Sequence, residues 1–121
     1  APYLVGTPSI AVANTGEPSV SENTRRGTVT TARHSTTYLE AGPSDGPAIV
    51  LLHGWPGIAE TWRHQLRQLS ALGFRVIAPD LRGCGRSSTY KTYAAYAQRE
   101  IVRDMIELAE GLGIEKAAWM G

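Results

Sequence analysis

Apolar positions in this chain change period several times, and each change marks an element. Ala48-Ile49-Val50-Leu51-Leu52 and Phe74-Arg75-Val76-Ile77-Ala78-Pro79 are short, nearly continuous apolar runs, the pattern of strands buried on both faces. Ala117-Ala118-Trp119-Met120 is a third such run. Between the first two, Ile58, Trp62, Leu66, Leu69 and Leu72 recur at spacings of three and four, which lays one apolar stripe along a helix, and Gly73 is placed to end it. Between the second and third, a helix from about Tyr93 to Gly111 carries Ile101, Met105, Leu108 and Leu112 along its inner side. Upstream, Thr28-Val29-Thr30-Thr31-Ala32-Arg33 and Ser35-Thr36-Thr37-Tyr38-Leu39-Glu40 are rich in β-branched residues with almost nothing between them, as two antiparallel strands would be. Gly42 to Pro47 is a turn cluster. Strand, helix, strand, helix, strand predicts right-handed crossovers, hence an α/β fold with a mostly parallel sheet, an antiparallel first strand pair and flanking helices. Residues 1–27, with Pro2, Pro8 and Pro18 among many Ser, Thr and Gly, are expected to form an extended arm before a domain over 28–121.

Composition narrows the function classes. A chain of 121 residues with 42% hydrophobic and 19% charged residues fits one small globular domain. Its net charge of +1, from 12 basic and 11 acidic side chains, supplies no field for nucleic acid or an anionic membrane surface, so neither partner is expected. No apolar stretch approaches the roughly 18 residues that a spanning helix needs, and the amino end lacks a secretory pattern. Cys84 is the only cysteine, which excludes an internal disulfide and a cysteine-based zinc site, and favours a reducing, cytoplasmic setting. No metal or cofactor is expected, and there is no internal repeat.

Two motifs carry candidate chemistry. His53-Gly54-Trp55-Pro56-Gly57 follows the strand at 48–52 with no spacer, at the carboxyl end where open α/β sheets bind their ligands. A tight Gly-rich turn there can aim main-chain N–H groups at developing negative charge, and Trp55 before Pro56 makes that peptide a candidate for the cis form. The plain alternative is an ordinary βα connection. The second motif, Asp80-Leu81-Arg82-Gly83-Cys84-Gly85-Arg86-Ser87, ends the next strand. Gly83 and Gly85 permit backbone conformations closed to other residues, while Asp80 and Arg82 are expected to cross-link and orient the loop. A phosphate cradle is disfavoured, since the third glycine of a dinucleotide fingerprint is missing and no Gly-Lys-Ser/Thr follows. His64 reads as a solvated helix residue, and His34 has no neighbouring ligand at metal spacing. Trp62 and Trp119 read as core, and Arg99, Arg103 and Glu107 as a wet helix face with one favourable four-residue pair.

Together these motifs resemble the α/β-hydrolase fold superfamily, most closely its epoxide hydrolase and dehalogenase-like branch, over roughly residues 28–121. His53-Gly54-Trp55-Pro56 is similar to that branch's His-Gly-x-Pro oxyanion motif, and the Asp80 loop to its Asp-x-Arg-Gly-x-Gly-x-Ser loop. The resemblance implies that the Trp55 main-chain N–H is one oxyanion-hole donor, that Gly54 and Pro56 shape the turn, that His53 supports it, and that the Trp55 side chain lines the substrate pocket. Gly121 would open the nucleophile elbow, with the nucleophile two positions further on, so that the chain is expected to be the amino-terminal half of the catalytic domain, truncated there. In epoxide hydrolases an Asp at that position forms an alkyl-enzyme ester, lid tyrosines polarise the epoxide oxygen, and a His with an acidic partner activates water. The implied substrate is a small epoxide and the implied partner is the complementary carboxyl-terminal half, without which the chain is expected to be inactive and aggregation-prone. Trp55, where many haloalkane dehalogenases place Asn, disfavours a halide site. Fluoroacetate dehalogenases, serine esterases and a non-catalytic binding protein on a partial hydrolase scaffold stay open.

Overall fold

The structure, a computed structural model, describes residues 10–14 and 23–121. Six strands form one sheet: β1 (Ala11–Asn14), β2 (Thr24–Thr30), β3 (Ser35–Ala41), β4 (Ala48–Leu51), β5 (Arg75–Pro79) and β6 (Ala117–Met120). Helix α1 (Arg63–Ala71) joins β4 to β5, and α2 (Gln98–Gly111) joins β5 to β6. The spatial order is β1-β2-β3-β5-β4-β6. β4 lies parallel to both β5 and β6, so the strand carrying the His53 turn is flanked on both sides.

Alternation along the strands builds two cores. Leu39, Ile49, Leu51, Val76 and Ala78 face Leu66 of α1, while Tyr38, Val50 and Ile77 face Met105 and Leu108 of α2. The helices therefore cover opposite faces, which is why β4 and β5 read as continuous apolar runs rather than alternating ones.

The antiparallel portion is larger than one strand pair. β2 begins at Thr24 and β1 pairs with it across Ala11↔Thr30 to Asn14↔Gly27, so a strand arises within residues 1–27; the rest of that expected arm, 1–9 and 15–22, lies outside the described residues. β3 also meets β5 antiparallel. The first hairpin turns earlier than its composition predicts. The Thr31 hydroxyl oxygen accepts the N–H groups of Arg33 (3.1 Å) and His34 (3.2 Å), a local side-chain bond that competes with the ladder and stops β2 at Thr30. Both helices also begin later. Ile58 is extended (φ −144°, ψ 167°) and Ala59–Trp62 form a 3₁₀ turn before α1, while Tyr93–Tyr96 form another before α2.

At the β6 edge, Trp119 is 47% exposed rather than core, because among the described strands β6 pairs only with β4. Trp62, by contrast, packs partly buried against the α1-side core.

Candidate active site

Strands β4, β5 and β6 end together. The Leu52 N–H donates to Met120 O (2.7 Å), which pins the end of β6 beside the end of β4. From the end of β4 the chain enters the turn His53 to Ile58. His53 is buried, and its Nε2 accepts the Leu81 N–H at 3.0 Å. An N–H donor at Nε2 means the ring proton sits on Nδ1, which donates to Gly54 O at 2.8 Å. His53 thus ties the turn to itself and to the segment after β5. The turn closes tightly: a Cβ on Gly57 would lie 2.5 Å from Gly54 O. The Trp55–Pro56 peptide is cis. The Trp55 side chain is 88% exposed, and its N–H has no acceptor among the described residues. A main-chain donor left open on a clamped turn is what an incoming anion needs.

Asp80, 1% exposed at the end of β5, fixes the far end of the same turn. Its Oδ1 accepts the Ala59 N–H at 2.8 Å, where the first helical turn begins, and its Oδ2 accepts the Arg86 N–H at 3.2 Å. The Asp80 N–H donates to Thr37 O (2.8 Å), and Asp80 O accepts the Ser87 hydroxyl (2.5 Å). Gly85 (φ +52°) wraps so close that a Cβ would fall 2.3 Å from the Asp80 carboxyl carbon; Gly83 (φ +80°) presses on the Tyr96 ring in the same way, at 2.5 Å. Both glycines are required by backbone conformation and by space.

Asp80 and Arg82 anchor the loop to different elements. Arg82 reaches instead to α2, its Nε and Nη2 each 2.8 Å from the two oxygens of Asp104, with Nη1 donating to Ala95 O at 2.8 Å. The hydrogen bonds to Asp104 push the Arg82 pKa up, and the guanidinium lies 4.4 Å over the Tyr90 ring. The two residues therefore divide the work: Asp80 holds the loop to the His53 turn, and Arg82 holds it to α2. Cys84 sits in this loop with its thiol pKa raised by burial and then by the Asp80 charge, both of which favour the protonated form. Among the described residues no group of three or more His, Cys, Asp and Glu could hold a metal, and no helix is long and apolar enough to cross a membrane.

A profile of the α/β hydrolase fold matches residues 47–121, the segment that holds both motifs and the three converging strands. The chain belongs to the α/β-hydrolase fold family. Within this family its relatives include epoxide hydrolases. It is 40% identical over 83 residues to epoxide hydrolase A of Mycobacterium tuberculosis, covering 69% of this chain and 26% of that protein. Epoxide hydrolase 1 of Siraitia grosvenorii is 39% identical over 92 residues, 76% of this chain and 29% of the relative. Among solved structures, an epoxide hydrolase from Vigna radiata superimposes with a TM-score of 0.76 at 33% identity, over 81% of this chain and 32% of that one. Epoxide hydrolase A from Mycobacterium thermoresistibile gives a TM-score of 0.69 at 33% identity, over 93% and 30%. The chain thus spans about a quarter to a third of the length of the relatives it matches.

Sequence reasoning missed the polar junction behind the loop. Asp104, Arg33, His34 and Tyr90 come from three separate elements and are at least half-buried together. One signal was present: Asp104 lies three residues after Ile101 and four before Leu108, on the apolar side of α2, where an acid needs a partner. Glu107 likewise turns toward Arg33 (2.7 Å) instead of pairing with Arg103 on a wet face.

Proposed function

We propose that this chain is the amino-terminal part of an epoxide hydrolase-like catalytic domain, to which it supplies scaffold and one oxyanion-hole donor, the Trp55 N–H. The observation that carries this reading is the open Trp55 amide on a turn held by His53 at one end and by Asp80 at the other. In the reaction implied by the resemblance, a carboxylate after Gly121 attacks an epoxide carbon. That carbon–oxygen bond breaks, the ring oxygen takes a proton, and an alkyl-enzyme ester forms. Water then adds to the ester carbonyl, and the carbonyl oxygen bears negative charge until the diol leaves and the carboxylate is restored. Only that second step needs the Trp55 N–H, because only there does an oxyanion form. Pro56 and Gly54 keep the turn in shape, His53 supports it, and the exposed Trp55 indole is placed to become a wall of the substrate site.

The complementary half of the domain is the proposed partner. Val102, Ile106, Trp119 and Met120 are each about half exposed on the uncovered side of α2 and β6, as expected of a surface that further structure covers. A cytoplasmic setting suits the single thiol. The test is to assay the longest natural form of the protein with a terminal epoxide and, in parallel, with an aryl ester. Diol formation that is absent from the 121-residue chain alone supports the proposal. Ester cleavage without diol formation moves the assignment to a serine esterase, and ligand affinity without turnover to a binding protein.

A further inference from the structure

The junction of the β2–β3 hairpin tip, the loop after β5 and helix α2 contains a set of contacts that is one proton short. His34 is buried, with Nδ1 2.8 Å from the Tyr90 hydroxyl and Nε2 3.5 Å from Asp104 Oδ2. The Tyr90 hydroxyl is also 3.0 Å from Arg33 O. Each of these three contacts needs one hydrogen, and a neutral imidazole plus a phenol bring two. Arg33 O can only accept, so the Tyr90 proton goes there and His34 donates from Nδ1. That leaves Nε2 bare, buried and without a hydrogen-bond partner among the described residues, its lone pair facing a carboxylate. A second ring proton would fill the third contact, but only at an oxygen that already accepts Arg82 Nε.

We propose that His34, Tyr90 and Asp104 form a proton-binding site whose occupation loosens the anchoring of the loop that supports the His53 turn. The charged groups around His34 set the direction. From α2 come Asp104, Glu107 (2.7 Å from Arg33) and Glu100 (3.4 Å from Arg33); from the hairpin tip comes Arg33, 2.8 Å from Asp104; from the loop come Arg82 and the ring of Tyr90 stacked on His34. A proton on Nε2 makes a third cation on Asp104. It competes directly with the 2.8 Å bond from Arg82 Nε, since both meet at Oδ2. Burial lowers the His34 pKa below 6.5, Asp104 opposes that shift, and Arg82 and Arg33 add to it. The unfolded chain therefore takes up this proton first. The associated stability is complete above pH 6.5 and is lost as pH falls through the lower folded-state value. Arg82 is two residues from Asp80 and next to Leu81, whose N–H binds His53, so acid weakens the support of the turn. The inference does not depend on the proposed reaction.

Long-range proton–nitrogen NMR on the histidines of the full chain tests this between pH 8 and 5. The expected result is a neutral His34 with its proton on Nδ1 and a titration midpoint under 6.5. Each pH unit separating that midpoint from 6.5 should appear as a tenfold loss in the folded-to-unfolded ratio on acidification. His34→Gln should lack that component. In Tyr90→Phe, Nδ1 has no acceptor, so the neutral ring should move its proton to Nε2 and point it at Asp104, a change that mere packing loss would not cause. A midpoint at or above 6.5, or a Tyr90→Phe ring that keeps Nδ1–H, overturns the proposal, and both readings decide it even if His34→Gln does not fold.

Discussion

Replacing Asp80 by Asn changes neither volume nor shape, so its effect isolates the two hydrogen bonds that fix the start of the first helical turn and the Gly-rich loop. The carboxylate accepts from Ala59 N–H at 2.8 Å and from Arg86 N–H at 3.2 Å, and it is 1% exposed. Asn can accept only one of these. Its amide nitrogen must face the other N–H, which loses a bond to a charged group worth about 1.5–3 kcal/mol and leaves a buried donor unmet at about 1–3 kcal/mol. Removing a buried charge relieves part of its desolvation, which offsets some of that sum. A net loss of about 2–4 kcal/mol remains. Urea unfolding followed by intrinsic Trp fluorescence measures it: the midpoint should fall with no change in slope. Hydrogen exchange at the Ala59 amide should rise beyond the global change, because that end of the turn opens locally. An Asp80→Asn midpoint equivalent to less than about 0.5 kcal/mol, the range of an ordinary surface change, refutes the view that Asp80 clamps the turn.

Three further substitutions probe other parts of the account. Leu66→Ala removes a fully buried side chain from the α1-side core and should cost about 2–5 kcal/mol in the same unfolding assay. Gly83→Ala forces a side chain to φ +80° and against the Tyr96 ring 2.5 Å away, so a destabilisation of about 1–3 kcal/mol is expected by thermal or urea unfolding. Trp119→Lys on the β6 edge should leave stability within about 0.5 kcal/mol while lowering self-association at high concentration in sedimentation velocity; unchanged association would show that this edge is not the adhesive surface.

Most of the fold was legible because periodicity is a local signal. Val50 and Ile77 face one helix while Ile49 and Val76 face the other, which is what continuous apolar runs predict for strands covered on both sides. The boundaries that moved did so for reasons carried by tertiary structure or by local side-chain bonds. Thr31 left the ladder to cap the hairpin turn, and β1 was hidden in a Pro-rich stretch because its pairing partner lies more than a dozen residues away. Of the candidate site, the residues of the two motifs and the tightness of their glycines were readable, and the partners were not. Asp80 and Arg82 were readable as residues that cross-link the loop, but their partners were not: a strand end sends their side chains to different elements, one to Ala59 and the other to Asp104. His34 offered no motif at all; its environment is assembled from a hairpin, a loop and a helix that meet only in three dimensions.

The claim on which the functional reading rests is that the Trp55 main-chain N–H, rather than its indole, stabilises an anion. The longest natural form of the protein, assayed with an epoxide in pre-steady-state kinetics, tests it through two variants. Trp55→Ala keeps the amide donor and should retain the ester-hydrolysis step within about tenfold, whereas Trp55→Pro deletes the donor and should slow that step by about 100- to 1,000-fold, with alkyl-enzyme accumulating. Equal losses in the two variants, or a Trp55→Pro enzyme that releases diol at the unsubstituted rate, would contradict it.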